Sequence, residues 1–221
     1  MTVIATPNRW TQSASGWLEP VRLGLAALSI MALAACSDGS DKKLIDTLLA
    51  GCADNNSCDP NPALEIGGDW PAQVFIPDDY DPNTRYPLIV VLHGFGASGV
   101  LQSFYLGIPQ RVDAKQYIAV TPDGMVNSFG SRFWNATDAC CAGTEEELAV
   151  DDVGYIRGLI EEAAATYSID TRRVALIGHS NGGFMSLRLA CEASDLVTTV
   201  ISLAGSTWSD EAMCAPATYP V

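Results

Sequence analysis

The segment Arg173 to Arg188 leaves the chain little freedom. Val174-Ala-Leu-Ile177 is short, rich in branched side chains and continuously apolar, the pattern of a strand buried on both faces. A helical pattern begins at Ser180 and runs to about Cys191, so strand must turn into helix within Gly178-His179-Ser180-Asn181-Gly182. A reversal that tight puts Ser180 in a strained backbone conformation and leaves no room for side chains at 178 and 182, hence the two glycines. Gly-x-Ser-x-Gly in this setting presents one serine hydroxyl at a helix N-terminus, where developing negative charge is stabilised. Ser180 is therefore the candidate nucleophile.

The rest of the chain alternates in the same manner. Leu88-Ile-Val-Val-Leu92, Ile118-Ala-Val-Thr121 and Val197-Thr-Thr-Val-Ile-Ser202 repeat the buried-strand pattern, and Ala72-Gln-Val-Phe-Ile76 suits a first strand. Between them, Asp151 to Tyr167 carries Val153, Ile156, Ile160, Ala163 and Tyr167 on one helical face, with Asp151 as N-cap. Buried strands alternating with helices predict an α/β fold, with a mostly parallel sheet and helices on both faces.

A second glycine-rich turn, Leu92-His93-Gly94-Phe95-Gly96, follows the first buried strand. In a fold with the serine turn above, this is where an oxyanion hole is completed, and the backbone N–H groups of Phe95 and Asn181 are the expected donors. His93 and Gly94 belong to this motif. His93 is expected to brace that turn through hydrogen bonds rather than to shuttle protons. His179 should diverge from the serine next to it and pack.

At 221 residues, 48% of them apolar, the chain suits one globular unit. A formal charge of -14 excludes attraction to a phosphate backbone, so nucleic acid is not an expected partner. Residues 1–35 carry Arg9, Arg22 and an apolar run from Leu23 that ends in small residues, the pattern of an export signal. Leu33-Ala-Ala-Cys36 resembles a bacterial lipobox, in which Cys36 is lipidated and becomes the mature N-terminus. The protein is then exported, either anchored at the cell envelope through Cys36 or extracellular. Residues 36–66 are polar and turn-rich, a tether with a disulfide-closed loop, and the domain proper is expected from about residue 67 to 221. The remaining cysteines, Cys52, Cys58, Cys140, Cys141, Cys191 and Cys214, are even in number, which suits disulfides in an oxidising compartment; the pairing stays open. No Cys-x-x-Cys spacing supports a zinc site, and no metal or cofactor is expected.

Three stretches together resemble one family. They are Pro87 to Gly96, then Thr121-Pro-Asp-Gly124 with Arg132-Phe-Trp-Asn-Ala-Thr-Asp-Ala-Cys-Cys141, then Asp151-Asp-Val-Gly-Tyr155 leading to Gly178-His-Ser-Asn-Gly-Gly-Phe-Met185. Residues from about 67 to 221 are similar to the polyhydroxybutyrate depolymerase and feruloyl esterase family of extracellular α/β-hydrolases. The resemblance implies that Ser180 is acylated, and that the loop with Trp134, Asn135 and Asp138 lies beside the active site, Trp134 and Asn135 lining an acyl pocket. It also implies structural cysteines, with the Cys140-Cys141 pair linked to Cys191 or Cys214 in an order left open. The implied reaction is hydrolysis of carboxylic esters, in hydroxyalkanoate polyesters or as feruloyl and acetyl groups on polysaccharides, by a monomer whose partner is its ester substrate.

The family orders its triad as Ser, Asp, His. No histidine follows Ser180 here, and Glu192, Asp195, Asp210 and Glu211 come before the strand that presents the acid in that family. The sequence therefore reads as the front part of a hydrolase, its last strands and helices missing. Two other readings differ in class: a hydrolase-fold surface lipoprotein that binds a ligand without turnover, and a peptidase or acyl transferase on the same fold.

Overall fold

A computed structural model of the chain describes residues 58–214. The expected signal segment, Cys36, Cys52 and most of the tether lie outside the described residues. The strands are β1 (Glu65–Ile66), β2 (Ala72–Phe75), β3 (Tyr86–Leu92), β4 (Ile118–Thr121), β5 (Ile169–His179) and β6 (Thr199–Leu203). They form one sheet in the order β1-β2-β4-β3-β5-β6. The β1–β2 and β2–β4 pairs are antiparallel; β4–β3, β3–β5 and β5–β6 are parallel. The helices are α1 (Gly99–Tyr105), α2 (Val112–Lys115), α3 (Glu145–Leu148), α4 (Asp152–Thr166) and α5 (Asn181–Glu192).

Side chains alternate across the sheet as the pleat requires. Leu88, Val90 and Leu92 of β3 and Ile118 and Val120 of β4 face a large cluster that includes Ile156, Leu159, Ile160 and Ala163 of α4 and Met185 and Leu189 of α5. Ile89 and Ala119 face the other way, onto Val112 of α2 and Tyr117. Helical cover on both faces is what the continuous apolar runs demand, and the predicted α/β architecture with a mostly parallel sheet is what forms. The predicted apolar face of α4 is buried throughout, from Val153 to Tyr167. Asp151 caps that helix, accepting from Gly154 N–H at 2.8 Å.

Two expectations need correction. Val197 to Ser202 was expected to be buried on both faces, yet β6 ends the sheet, and Ile201 and Leu203 are 45% and 38% exposed. Branched residues favour a pleated, half-buried surface and do not distinguish an edge strand from a central one. The domain also starts before residue 67. Ile66 lies in the core, β1 pairs with β2, and Tyr167 Oη donates to Ala63 O, so the chain is built in from about residue 62.

The cysteine expectation changes as well. Cys191, at the end of α5, bonds Cys214 across a Cα–Cα distance of 5.3 Å, within ordinary disulfide range. Cys140 and Cys141 bond each other. Neither therefore links to Cys191 or Cys214, because those two already satisfy one another. Cys58 is also disulfide-bonded. Among the described residues no helix is long and apolar enough to cross a membrane.

Candidate active site

β5 ends at His179 and α5 begins at Asn181, so Ser180 alone makes the turn. Its backbone sits at φ 52°, ψ -119°, a region costly for any residue with a side chain, by about 1–3 kcal/mol. The surroundings hold it there. Ser180 N–H donates to Leu203 O at 2.7 Å, and Ser180 O accepts from Phe184 N–H at 3.0 Å. The flanking glycines are sterically required: a Cβ at Gly178 would strike the Gly182 carbonyl, and one at Gly182 would strike the carbonyls of Leu92 and His93. The reversal and the close packing of α5 on β3 thus depend on the same two positions.

The His93–Gly96 loop lies against this turn. A Cβ on Gly94 would sit 3.6 Å from Ser180 Cβ. Gly96 N–H donates to Arg132 O at 2.8 Å and Ala97 N–H to Gly94 O at 3.0 Å, while no described residue accepts from Phe95 N–H. Asn181 opens α5, where first-turn N–H groups have no intrahelical partner. The two expected oxyanion donors therefore come from segments packed on either side of Ser180.

His93 is fully buried and its hydrogen bonds fix its state. Nε2 accepts from Gly124 N–H at 2.8 Å, and Nδ1 lies 2.8 Å from Gly94 O. A carbonyl can only accept and an amide can only donate, so the proton is on Nδ1. Burial lowers its pKa and keeps the ring neutral. With both nitrogens engaged, His93 braces the loop. His179 packs its ring 6.1 Å from that of Tyr105. Among the described residues neither histidine bonds the Ser180 hydroxyl.

The loop with Trp134, Asn135 and Asp138 lies beside the Ser180 turn as expected, but Trp134 and Asn135 are buried there rather than lining an open pocket. Trp134 is 0% exposed, so it offers no surface to a ligand and braces the site from behind. Its indole N–H donates to His93 O at 3.0 Å and its ring lies 4.8 Å from the imidazole. Its backbone N–H donates to Asn181 Oδ1 at 2.7 Å, and Asn181 Nδ2 donates back to Trp134 O at 3.0 Å. Asn135, also buried, uses its side-chain amide on Leu148 O and Val150 O, each at 2.9 Å. Asp138 Oδ1 accepts from Ser209 N–H at 3.0 Å.

Sequence reasoning missed four residues that hold this arrangement. Asp123 accepts from Gly99 N–H at 2.7 Å and pairs with Arg132 at 2.9 Å, fixing the start of α1 to the loop that follows β4. Asp152 accepts from Asn135 N–H at 2.7 Å, and Arg188 donates to Asn135 O at 2.7 Å. Arg188 falls two helical turns after Asn181, a spacing that places both on one face of α5 and could have signalled it. Burial raises the Asp152 pKa to about 6. Among the described residues no three His, Cys, Asp or Glu side chains group as metal ligands would.

The esterase family model, described as "Putative esterase", matches residues 64–218. Feruloyl esterase D of Neurospora crassa is 29% identical over 195 residues, covering 78% of this chain and 60% of that protein. The Aspergillus niger protein described as "Probable feruloyl esterase C" is 29% identical over 164 residues, covering 69% of this chain and 54% of its own. The chain thus spans little more than half the length of these relatives. The crystal structure of native sOPH aligns with a TM-score of 0.50 at 16% identity, over 67% of this chain and 51% of that one, a likeness of fold alone.

Proposed function

Because the chain belongs to the esterase family of α/β-hydrolases, we propose that its parent protein is a serine esterase that forms an acyl-Ser180 intermediate. The observation that carries this reading is the backbone of Ser180, held at φ 52° between two sterically required glycines and beside the His93–Gly96 loop. In that reading Ser180 Oγ attacks the ester carbonyl, and the N–H groups of Phe95 and Asn181 take the oxyanion. The serine proton passes to a base, which returns it to the departing alcohol as the tetrahedral intermediate collapses to the acyl-serine. Water then cleaves that ester to release the acid and free Ser180. A neutral serine hydroxyl needs a base; both ring nitrogens of His93 are hydrogen-bonded elsewhere and His179 makes no hydrogen bond to Ser180, so in this reading the base and its acid partner come from outside residues 58–214.

Feruloyl and acetyl esters of polysaccharides are the proposed substrates, supported by the two feruloyl esterases among the relatives; hydroxyalkanoate polyester is the other reading. The protein at its natural length should hydrolyse methyl ferulate and short-chain acetyl esters and leave a polyhydroxybutyrate film intact. Clearing of the film without release of ferulate would assign it to polyesters. Failure on all three substrates would sink the esterase reading.

Export is part of the same proposal, with Cys36 lipidated at the envelope; the disulfides Cys140–Cys141 and Cys191–Cys214 suit an oxidising compartment. Radiolabelled palmitate supplied to a Gram-negative host should label the wild type and not Cys36→Ala. Equal labelling of both would remove the anchor.

A further inference from the structure

We propose that Asp152 is a positioning residue for the Ser180 turn: its carboxylate holds the Trp134–Asn135 strut that ties Asn181 to the His93–Gly96 loop. The inference rests on the reading of Ser180 as nucleophile, and one of its tests below does not depend on that reading.

The strut touches both halves of the oxyanion site. Trp134 bonds Asn181 through its backbone N–H and C=O, and bonds His93 O through its indole. What fixes the strut is Asn135, whose N–H is taken by Asp152 and whose C=O is taken by Arg188. Displacing Asn135 would therefore shift Trp134 and, through it, the first residue of the nucleophile helix.

Asp152 is the first-turn acid of its own helix, which accounts for a carboxylate at this end but not for the bond it makes to Asn135. The N-cap role belongs to Asp151, which holds Gly154 N–H. Asp152 is 2% exposed, and among the described residues it is in no ion pair; the Arg188 guanidinium pairs with Glu192 at 2.9 Å. The other groups facing it are Asp151 and Tyr155 on its own helix and Arg188 across from it. Burying a carboxylate without an ion pair is unfavourable, and a neutral asparagine could accept the same amide. What the charge adds is a charge-assisted bond, about twice as strong as a neutral one. Protonation weakens that bond, and burial brings protonation to about pH 6.

The test uses the protein at its natural length, with Asp152→Asn and Asp152→Ala. With p-nitrophenyl acetate near pH 8, Asp152→Ala should lose about tenfold to a hundredfold in kcat with KM unchanged, short of deleting an oxyanion donor outright. Asp152→Asn, which keeps an acceptor, should restore most of that loss. A wild-type kcat in Asp152→Ala, or a loss confined to KM, overturns the proposal. In amide proton–nitrogen spectra of the wild type, the signals of Asn135 and Asn181 should shift together with a midpoint near pH 6, and neither should shift there in Asp152→Asn. Movement of Asn135 alone shows that the strut does not reach Asn181 and overturns the proposal. If Asp152→Ala does not fold, the asparagine variant and the spectra decide. If the wild type cleaves no ester, the esterase reading fails while the amide titration still decides the role of Asp152.

Discussion

Ser180→Ala should abolish ester hydrolysis by the protein at its natural length, lowering kcat on a short-chain p-nitrophenyl ester by a factor on the order of 10⁴ or more. A fluorophosphonate probe should acylate Ser180 and no other serine. The expectation rests on setting rather than on residue type. Ser186 and Ser202 are close by in the fold, but their hydroxyls donate to Gly182 O at 2.8 Å and Gly183 O at 3.1 Å, carbonyls in the first turn of α5. Among the described residues only Ser180 combines a positive φ, a helix N-terminus behind it and a facing glycine loop. Alanine at 180 must adopt the same backbone, so the thermal midpoint should barely move, which separates loss of the nucleophile from loss of the fold. Probe labelling that persists in Ser180→Ala would remove this residue from the mechanism.

The reason Ser180 is legible in the sequence also explains what is not. Its signal is local: strand, two glycines and helix lie within sixteen residues, and each has a steric cause in its neighbours. Runs such as Ile118 to Thr121 are equally plain, since a strand covered on both faces admits almost nothing polar. β5 is longer than its apolar run because Ile169 still pairs with Tyr86 beyond an irregular stretch where the register shifts, and within that stretch Asp170 pairs with Arg172 and Arg173 at 3.2 and 2.8 Å. α1 left no readable pattern, because Leu101, Phe104 and Tyr105 face solvent and no apolar stripe forms. The strut behind the elbow was hidden for another reason. Asn135 meets Asp152 across 17 residues and Trp134 meets Asn181 across 47, contacts that only the assembled fold creates. Disulfide pairing fails in the same way, since an even count of cysteines says nothing about which of them approach.

Asp152 also carries a stability cost that can be read from its titration. Its folded pKa lies at about 6, above the ordinary 3.8, so the folded state holds this proton more tightly than the unfolded chain does. The stability this contributes is full below the unfolded pKa and is lost as pH rises through the folded one. A shift of that size amounts to roughly 3 kcal/mol at most. Asp152→Asn is therefore expected to be at least as stable as the wild type near pH 8, even where its kcat is lower. The charge is a cost to the fold that positioning the turn would account for.

Trp134→Ala should be the most destabilising single change at the site. Removing a fully buried tryptophan costs about 3–5 kcal/mol in the folded state. At about 2–4 °C per kcal/mol for a domain of this size, the midpoint should fall by roughly 6–20 °C. The lost volume is only part of it. The change also strands His93 O without the indole N–H and loosens the contact with the imidazole that holds Gly124 N–H. Trp134→Phe keeps an aromatic ring beside His93 but still strands that carbonyl, at about 1–3 kcal/mol for a buried acceptor left unmet. The pair of variants separates a brace from a pocket wall. A brace acts on the oxyanion donors common to every substrate, so kcat should fall alike for acetyl, butyryl and feruloyl esters. A wall of an acyl pocket would instead change the ratio of kcat/KM between small and bulky acyl groups by about tenfold or more, as reshaping an apolar pocket does. Because Trp134 has no exposed surface, we expect that ratio to hold in both variants. A selective gain for bulky acyl groups in Trp134→Ala would return the residue to the substrate side of the site.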